Sequence, residues 1–169
     1  MPANRLFLAV PVRLYHYEQI KKDFSPLLKG RWREEEHLHA TIAFLGNRFN
    51  PDHLIEKLSG FEYSFDISEI SALDYFAESR VFVATFYNPT LQNLYEKLAP
   101  LLGLASMELR PHVTLMRVKS ILDAPAFFKL SAAASAAPIG VLEPKVALYQ
   151  SHLSPEGARY EILKEWSLT

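Results

Sequence analysis

The sequence predicts a mixed α and β fold that is built from two similar strand–helix–strand units. Runs rich in β-forming residues alternate with segments of helical periodicity, and the same order of elements occurs twice. The chain of 169 residues fits one domain, or two small lobes that share a core. We therefore expect one folded unit whose two halves are related in sequence.

The first unit comprises a strand, a helix and a second strand. Residues 5–10 are rich in β-forming side chains, and the spacing of apolar residues predicts a helix over residues 15–28. Gly30 is expected to end that helix, and a strand follows over residues 37–45. After this unit, an Asn followed by Pro predicts the start of a short helix over residues 50–58.

The second unit repeats this order. Residues 80–86 predict a strand, Asn88 followed by Pro predicts a helix to about residue 102, and residues 110–118 predict another strand. Residues 131–137 are small and suggest the end of a short helix or a flexible connection. Three further strands are expected over residues 61–67, 145–152 and 159–168.

A match between the two units supports a duplication. Residues 5–9 (R-L-F-L-A) and residues 80–84 (R-V-F-V-A) agree in residue type at a separation of 75 positions. Each run is followed by a helix and then by a strand that carries His-x-Thr. The two histidines, His39 and His112, are 73 positions apart. The shared order and spacing predict two fused and diverged copies of one unit.

The composition excludes several classes of protein. The net charge of −1 provides no general basic field of the kind that holds long nucleic acids. The absence of cysteine removes disulfides, thiolate nucleophiles and cysteine-based zinc sites. No apolar run is long enough to cross a bilayer. We expect a soluble, cytoplasmic protein without a membrane partner.

Each His-x-Thr strand presents a polar pair on one face. Residues two apart in a strand project to the same side, so His39 and Thr41 project together, as do His112 and Thr114. The residues between them are apolar, which indicates central strands that are packed on the opposite face. If the two units pack about a pseudo-twofold axis, two imidazoles and two hydroxyls converge in one cleft.

This set of groups suits chemistry at phosphorus. One imidazole can take a proton from the attacking oxygen and the other can give a proton to the leaving oxygen, each contributing about 10²–10⁴-fold. The threonine hydroxyls can donate to the non-bridging oxygens. Arg117 lies on the opposite side of an ideal strand from His112, and it reaches the site only if the strand twists or ends after Leu115. No thiolate or carboxylate cluster accompanies the motif, so we expect neither a metal nor a cofactor.

The two motifs, H-A-T-I and H-V-T-L, resemble the paired HxTx signatures of the 2H phosphoesterases. More narrowly, the chain is similar to the RNA 2′,3′-cyclic phosphodiesterase family, also called the 2′-5′ RNA ligase or LigT-like family. The likeness extends over about residues 5–168. The segments that carry it are Trp32 with residues 37–46, residues 111–118, and the tail over residues 148–163.

The resemblance implies an α+β fold of two pseudo-symmetric lobes, each an antiparallel β-sheet with helices outside, around a central active-site cleft. We expect a single bilobal domain over residues 1–169, with the first unit at about 5–46 and the second at about 80–118. The implied reaction hydrolyses a 2′,3′-cyclic phosphate to a 2′-phosphate without a metal, and 2′-5′ joining of RNA ends is its reverse.

The resemblance also implies roles for the residues of the two motifs. His39 would donate a proton to the departing 3′ oxygen, and His112 would accept a proton from water. From the residues themselves, we predict that Thr41, Thr114 and Arg117 bind the substrate phosphate, with a solvated or structural charge as the alternative for Arg117. The substrate would be an RNA end or a small cyclic nucleotide, and we expect the protein to act as a monomer.

Several alternatives remain open at this point. The enzyme could act on another small cyclic phosphate, such as ADP-ribose cyclic phosphate, or on 2′-5′-linked oligonucleotides, or the chain could be a non-catalytic module that binds RNA ends. The acidic residues 34–36 would repel a polyanion if they line the site. His37 shares a face with His39, and we favour a rim residue over a metal ligand there. For Phe44 we favour a buried core position over base stacking.

Overall fold

The structure is a computed structural model that describes residues 5–169. The first four residues of the expected domain lie outside the described part. The strands are β1 (Arg5–Leu14), β2 (Leu28–Trp32), β3 (His39–Gly46), β4 (Glu69–Ile70), β5 (Ala72–Phe76), β6 (Val81–Thr85), β7 (His112–Ile121), β8 (Gly140–Leu142), β9 (Lys145–Ser154) and β10 (Gly157–Ser167). The helices are α1 (Tyr17–Phe24), α2 (Pro51–Leu58), α3 (Pro89–Leu102) and α4 (Ala124–Ala134), and a 3₁₀ turn spans Glu35–His37.

The strands form two antiparallel sheets, which confirms the expected α+β class. The first sheet has six strands in the order β10-β9-β1-β8-β4, with β3 also paired to β1. The second sheet has four strands in the order β2-β7-β6-β5. In each sheet, the strand with His-x-Thr is hydrogen-bonded to the β-rich strand that begins the same predicted unit: β3 to β1, and β7 to β6.

The two sheets do not correspond to the two halves of the sequence. Strand β2 follows α1 in the first unit, yet it pairs with β7 in the second sheet. The last three strands, β8, β9 and β10, belong to the first sheet, where β8 and β9 both pair with β1. Each sheet therefore draws strands from distant parts of the chain, and this arrangement brings β3 and β7 into contact with each other.

The main hydrophobic core lies on one face of both sheets. It includes Leu8 and Val10 of β1 and Phe82 of β6. The ring of Phe82 packs against those of Phe24 and Phe127, at centroid distances of 4.7 and 5.4 Å. Two small apolar clusters lie on the opposite faces. The first comprises Phe7, Ala9, Ala147 and Tyr149, and the second comprises Phe76, Val81 and Val83.

Two helices start where Asn is followed by Pro, as predicted. The Asn50 side chain accepts hydrogen bonds from two backbone N–H groups in the first turn of α2, and Asn88 does the same for α3. The left-handed Gly103, with φ of 65°, ends α3 as expected. The small residues after position 131 continue α4 to Ala134. No helix within residues 5–169 is long and apolar enough to cross a membrane.

The prediction for the segment after α1 was wrong. The helix ends at Phe24, four residues before the predicted end, and Gly30 lies inside strand β2. A Cβ atom on Gly30 would overlap the backbone oxygen of Arg117, so only glycine permits β2 to approach β7 this closely. The glycine serves strand pairing rather than helix termination.

The predicted strand over residues 61–67 is also absent from both sheets. Tyr63 and Phe65 are buried, but this extended segment pairs with no strand. Tyr63 stacks on Trp166 at 5.4 Å, and its hydroxyl donates to the Leu58 carbonyl at 3.0 Å. The alternation of aromatic residues therefore reflects side-chain burial alone. The strand that pairs with β6 on the side away from β7 is β5, which the sequence analysis did not predict.

We expect Gly30→Ala to lower the free energy of unfolding by about 2 kcal/mol or more, because the added Cβ meets backbone atoms of β7. Urea denaturation monitored by circular dichroism measures this change. Gly60→Ala is the matched control, since its Cβ would meet no atom within 4 Å, and its effect should stay within about 0.5 kcal/mol. Equal midpoints for the two variants would contradict the close approach of β2 and β7.

Candidate active site

Strand β3 places three side chains on one face of the first sheet. Directly opposed residues of an antiparallel pair lie on the same face, and residues 7, 9 and 11 of β1 alternate onto one face. The opposed pairs are Pro11 with His39, Ala9 with Thr41, and Phe7 with Phe44. His39, Thr41 and Phe44 therefore share a face, although an unbroken strand would turn Phe44 away. A β-bulge causes the change, because Ile42 is an extra residue between the pairs of Thr41 and Ala43.

Strand β7 repeats this arrangement in the second sheet. The opposed pairs are Thr85 with His112, Val83 with Thr114, and Val81 with Arg117. Here Leu115 is the extra residue, and it occupies the same place after His112 that Ile42 occupies after His39. The bulge returns Arg117 to the face of His112 and Thr114. Of the two possibilities that the sequence left open for Arg117, the structure supports the one that directs it to the site face.

The same irregularity explains why the prediction for Phe44 was wrong. We favoured a buried position because Phe44 is five residues from His39 and would face the core in a regular strand. In the structure, 77% of its surface is exposed, and its ring lies 6.2 Å from that of Phe7. Phe44 and Arg117 thus occupy equivalent positions of the two strands, one carrying an aromatic ring and the other a positive charge.

The pairing also changes the alignment of the two units. The match between residues 5–9 and 80–84 has an offset of 75, but the partners of the two His-x-Thr strands are 74 positions apart, as Pro11 and Thr85 show. Phe7 is therefore equivalent to Val81, with both on the site face. Phe82, the residue that the sequence match equates with Phe7, lies in the main core.

Both histidine rings are held by the same kind of hydrogen bond. The Nδ1 atom of His39 lies 2.7 Å from the carbonyl oxygen of His37, and Nδ1 of His112 lies 2.6 Å from that of Arg110. A carbonyl oxygen only accepts hydrogen bonds, so Nδ1 must carry a proton in each ring. The Nε2 atom of each neutral imidazole is then the nitrogen available to accept a proton.

His39 is enclosed by aromatic rings. Its centroid lies 4.9 Å from that of Phe7, 5.1 Å from that of Tyr149 and 5.5 Å from that of Tyr160. Burial is the main reason that the pKa of His39 falls to about 4, and the hydrogen bond to the backbone of His37 acts in the opposite direction. The charges of neighbouring cationic groups, including His112, lower the pKa further. His39 is thus neutral at pH 7 in the free protein.

His112 has a more open environment. Its ring is half-buried and lies 5.0 Å from that of Phe76 in an edge-on contact. Arg110, two residues earlier, also packs on Phe76, and its guanidinium lies 3.6 Å from the centroid of that ring. Phe76 belongs to the apolar cluster on this face of the second sheet, so it supports His112 much as Phe7 supports His39.

Arg33 is a site residue that the sequence analysis missed. Its backbone N–H donates to the carbonyl of the bulged Leu115 at 2.7 Å, and its own carbonyl accepts from the Tyr17 hydroxyl at 2.6 Å. The guanidinium lies over the ring of Tyr160, 5.1 Å from its centroid. Burial lowers the pKa of Arg33, and the nearby positive charge of Arg117 lowers it further. In the described part of the chain neither guanidinium forms an ion pair with a carboxylate, so the two cations form an environment suited to an anion.

A cleft of about 480 Å³ is lined by Arg33 and Arg117, whereas the two histidines and two threonines of the motifs are not among its lining residues. It draws on β2, the 3₁₀ turn, β7 and the hairpin of β9 and β10, so both sheets contribute to it. Its lining residues are Arg31, Trp32, Arg33, Glu34, His37, Arg117, Leu153, Gly157, Ala158, Arg159 and Tyr160. Four arginines face a single carboxylate in this set, and the charge balance favours a negatively charged ligand.

The acidic residues before β3 form a separate group. Glu34, Glu36 and His37 each place one possible ligand atom within 4.8 Å of the others, and Nδ1 of His37 lies 3.6 Å from a carboxylate oxygen of Glu34. Both carboxylates are exposed, and such groups are common in proteins that bind no metal. The sequence analysis underestimated this grouping, because it considered His37 and His39 without the neighbouring carboxylates.

Comparison with known proteins identifies the family. No protein-family model matches the chain. The RNA 2′,3′-cyclic phosphodiesterase of Methanocaldococcus jannaschii is 30% identical over 174 residues, which cover 96% of this chain and 99% of that protein. The chain belongs to this family. The RNA 2′,3′-cyclic phosphodiesterase of Thermotoga maritima is 29% identical, over 95% of this chain and 94% of that protein.

Solved structures show the same fold. E. coli LigT in its apo form has a TM-score of 0.72 and 22% identity, and the match covers 100% of this chain and 99% of that one. E. coli LigT complexed with 3′-AMP has the same TM-score with 23% identity and the same coverage. These likenesses confirm the expected fold, and the match to the M. jannaschii protein confirms the expected RNA 2′,3′-cyclic phosphodiesterase family.

The lowered pKa of His39 makes a prediction about stability. The unfolded chain, with an ordinary histidine pKa of about 6.5, binds the proton more readily than the folded chain does. Stability should therefore fall as the pH decreases from 6.5 to 4, by up to about 3 kcal/mol from this residue.

Urea denaturation at a series of pH values tests this expectation, with His39→Gln as the variant that lacks the titrating ring. Carboxylates also titrate in this range, but they are present in both proteins and their contribution cancels in the difference. The wild type should lose more stability than the variant between pH 6.5 and 4. Parallel curves would mean that the pKa of His39 is close to its ordinary value.

Proposed function

We propose that the protein hydrolyses the 2′,3′-cyclic phosphate at an RNA end to a 2′-phosphate. The observation that carries the proposal is the repeated geometry of β3 and β7: each strand presents a histidine with a free Nε2 and a threonine on one face. The names of the relatives from M. jannaschii and T. maritima support the same reaction.

The two histidines supply opposite halves of one proton-transfer sequence. One neutral Nε2 accepts a proton from water as the water oxygen bonds to phosphorus. The other histidine, protonated at Nε2, donates to the 3′ oxygen as its bond to phosphorus breaks. The cyclic phosphate opens, and the phosphate stays on the 2′ oxygen. Proton exchange of the two histidines with solvent then restores their starting protonation states before the next substrate binds.

The remaining polar groups act on the charge of the phosphate. Thr41 and Thr114 lie two residues beyond the histidines on the same faces, where their hydroxyls can donate to the non-bridging oxygens. Arg117, brought to this face by the bulge, and Arg33, which lines the cleft, add positive charge. These donors favour the transition state, in which the non-bridging oxygens carry more charge than in the substrate.

We further propose that the site needs neither a metal nor a second copy of the chain. Both histidines, both threonines and Arg117 belong to the same chain. The two imidazoles provide the proton transfers, and the arginines provide the positive charge that a metal supplies in other phosphodiesterases. The expected cytoplasmic location remains a prediction.

Phosphorus NMR of a nucleoside 2′,3′-cyclic phosphate in excess EDTA tests the reaction. The wild type should produce only the 2′-monophosphate, and His39→Ala and His112→Ala should each lower kcat by about 10²-fold or more, because each removes one proton transfer. His53→Ala is the matched control, since His53 is exposed on α2.

Circular dichroism of each variant separates lost chemistry from lost folding. The proposal fails if a folded His39→Ala or His112→Ala protein keeps most of its turnover, or if the product is the 3′-monophosphate. Loss of activity in EDTA that added magnesium or manganese restores would overturn the metal-free mechanism while leaving the reaction class unchanged.

The donor role that family resemblance implies for His39 requires its pKa to rise when substrate binds. A phosphate anion beside the ring favours the protonated form, so a nucleoside 2′-monophosphate should move the midpoint upward by about one unit or more. Histidine proton chemical shifts followed against pH, with and without this ligand, measure the change. A midpoint that stays near 4 would assign the base to His39 and the donor to His112.

A further inference from the structure

A second cavity lies beside the cleft and has a different lining. Its volume is about 490 Å³, and it is formed by β2, β7 and the turn that precedes β6. Its basic lining residues are Lys29, Arg31, Arg80, Arg117 and Lys119, and we call this set the basic strip. Arg31 and Arg117 line both the second cavity and the cleft, so the two spaces adjoin at these side chains.

Among the described residues, no carboxylate forms an ion pair with the basic strip. The other residues that line its cavity are Gly30, Ser79 and Val118, none of them acidic. Five like charges on a protein of net charge −1 repel one another, and an anionic ligand relieves that repulsion.

The pairing of β2 with β7 brings four of these cations to neighbouring positions. Arg31 and Arg117 are directly opposed. Lys29 lies two residues further along β2, about 6.6 Å in a strand, and is opposed to Ser120, whereas Lys119 is the extra residue at a register shift in β7. Both lysines line the second cavity and neither lines the cleft, so the positive charge extends away from the cleft along β2 and β7.

Two backbone features fix the ends of the strip. Arg80 adopts a left-handed conformation with φ of 57°, which is unfavourable for a residue with a Cβ, and its carbonyl accepts from the Val118 N–H at 2.8 Å. At the other end, Gly157 lies against Arg31: a Cβ there would be 2.7 Å from the guanidinium. The tip of the β9–β10 hairpin thus contacts the arginine that joins the two cavities.

We propose that the basic strip binds the backbone phosphates of the nucleotides that precede the cyclic phosphate, so that the preferred substrate is an oligonucleotide end rather than a single nucleotide. This inference rests on the proposed function. A 2′,3′-cyclic phosphate terminates its strand, so all further phosphates lie on its 5′ side and extend in one direction from the cleft. The strip is the adjoining surface with the charge to receive them.

The acidic residues 34–36, which we expected to repel a polyanion if they line the site, lie apart from the basic strip. Of these three acidic residues, only Glu34 lines the cleft, and none lines the second cavity. A strand that leaves the cleft over Arg31 and Arg117 proceeds toward the lysines and away from the acidic turn.

The test compares two substrates: a six-nucleotide RNA that ends in a 2′,3′-cyclic phosphate, and a nucleoside 2′,3′-cyclic phosphate. Lys29→Gln with Lys119→Gln removes two charges that lie outside the cleft. The ratio of kcat/KM for the RNA to kcat/KM for the nucleotide should fall about tenfold. Lys97→Gln with Lys129→Gln is the matched control, because both lysines are exposed on helices α3 and α4, and the ratio should not change.

Salt dependence provides a second readout. Each phosphate contact to a single strand contributes about 0.7 to the slope of log affinity against log salt, so the double variant should lose roughly 1.4 from the slope for the RNA. A ratio and a slope equal to those of wild type would overturn the proposal, as would an equal loss in the control.

Failure of the proposed function would be recognised separately. If wild type hydrolyses neither substrate, fluorescence anisotropy of a labelled six-nucleotide RNA with a 3′-phosphate tests the strip by binding alone. Weaker binding by Lys29→Gln with Lys119→Gln, with the control unchanged, would support the strip. Equal binding by all three proteins would overturn it.

Discussion

The extra residue in β3 and its counterpart in β7 determine what the active face contains. Without Ile42 between the pairs, Phe44 would turn into the core, and without Leu115 the charge of Arg117 would face away from His112. In β7 the carbonyl of the bulged Leu115 is also bound, by the N–H of Arg33 and by the Tyr17 hydroxyl. This bulge therefore turns Arg117 to the face of His112 and also holds the backbone of Arg33. One backbone irregularity thus determines the positions of both positive charges.

The positive charges gathered in this region repel one another, and the effect is seen at two side chains. Arg33 is half-buried, its ordinary pKa is reduced by burial and by Arg117, and its guanidinium is supported by the ring of Tyr160 rather than by a carboxylate. The pKa of His39 is lowered chiefly by burial, and the positive charges nearby act in the same direction, so the ring remains neutral. A substrate phosphate offsets both effects together, which couples binding of the anion to protonation of the histidine.

Part of this site could be predicted from the sequence, and part could not. The pairs His39 with Thr41 and His112 with Thr114 depend only on the two-residue period of a strand over three positions, which local sequence specifies. Phe44 and Arg117 lie beyond the bulges, and neither Ile42 nor Leu115 is a residue type that marks an extra residue. Regular alternation therefore assigned Phe44 to the wrong face. It left the face of Arg117 undecided.

The secondary-structure elements also differ in how far the local sequence predicts them. Asn-Pro pairs fix the starts of α2 and α3 through contacts within one turn, and both were predicted correctly. Strand β2 exists because β7 pairs with it across about 90 positions of sequence, and around Gly30 the local pattern indicated only the end of a helix. Arg33 was missed for that reason, since its place in the site follows from β2. The five-residue match between the units was a sound indication of repetition, yet its alignment was one residue out of register.

The exchange of strands between the two sheets has a consequence for how the protein is made. Leu8 of β1 pairs with Leu148 of β9, and the two residues are 140 positions apart. Synthesis must therefore proceed past β9 before β1 acquires this neighbour in addition to β3, and before Tyr149 can enclose His39. The second sheet, complete once β7 has emerged, can form earlier in synthesis. The face of the first sheet that carries His39 is thus complete only when the β9–β10 hairpin has added to the edge of β1 that β3 leaves open.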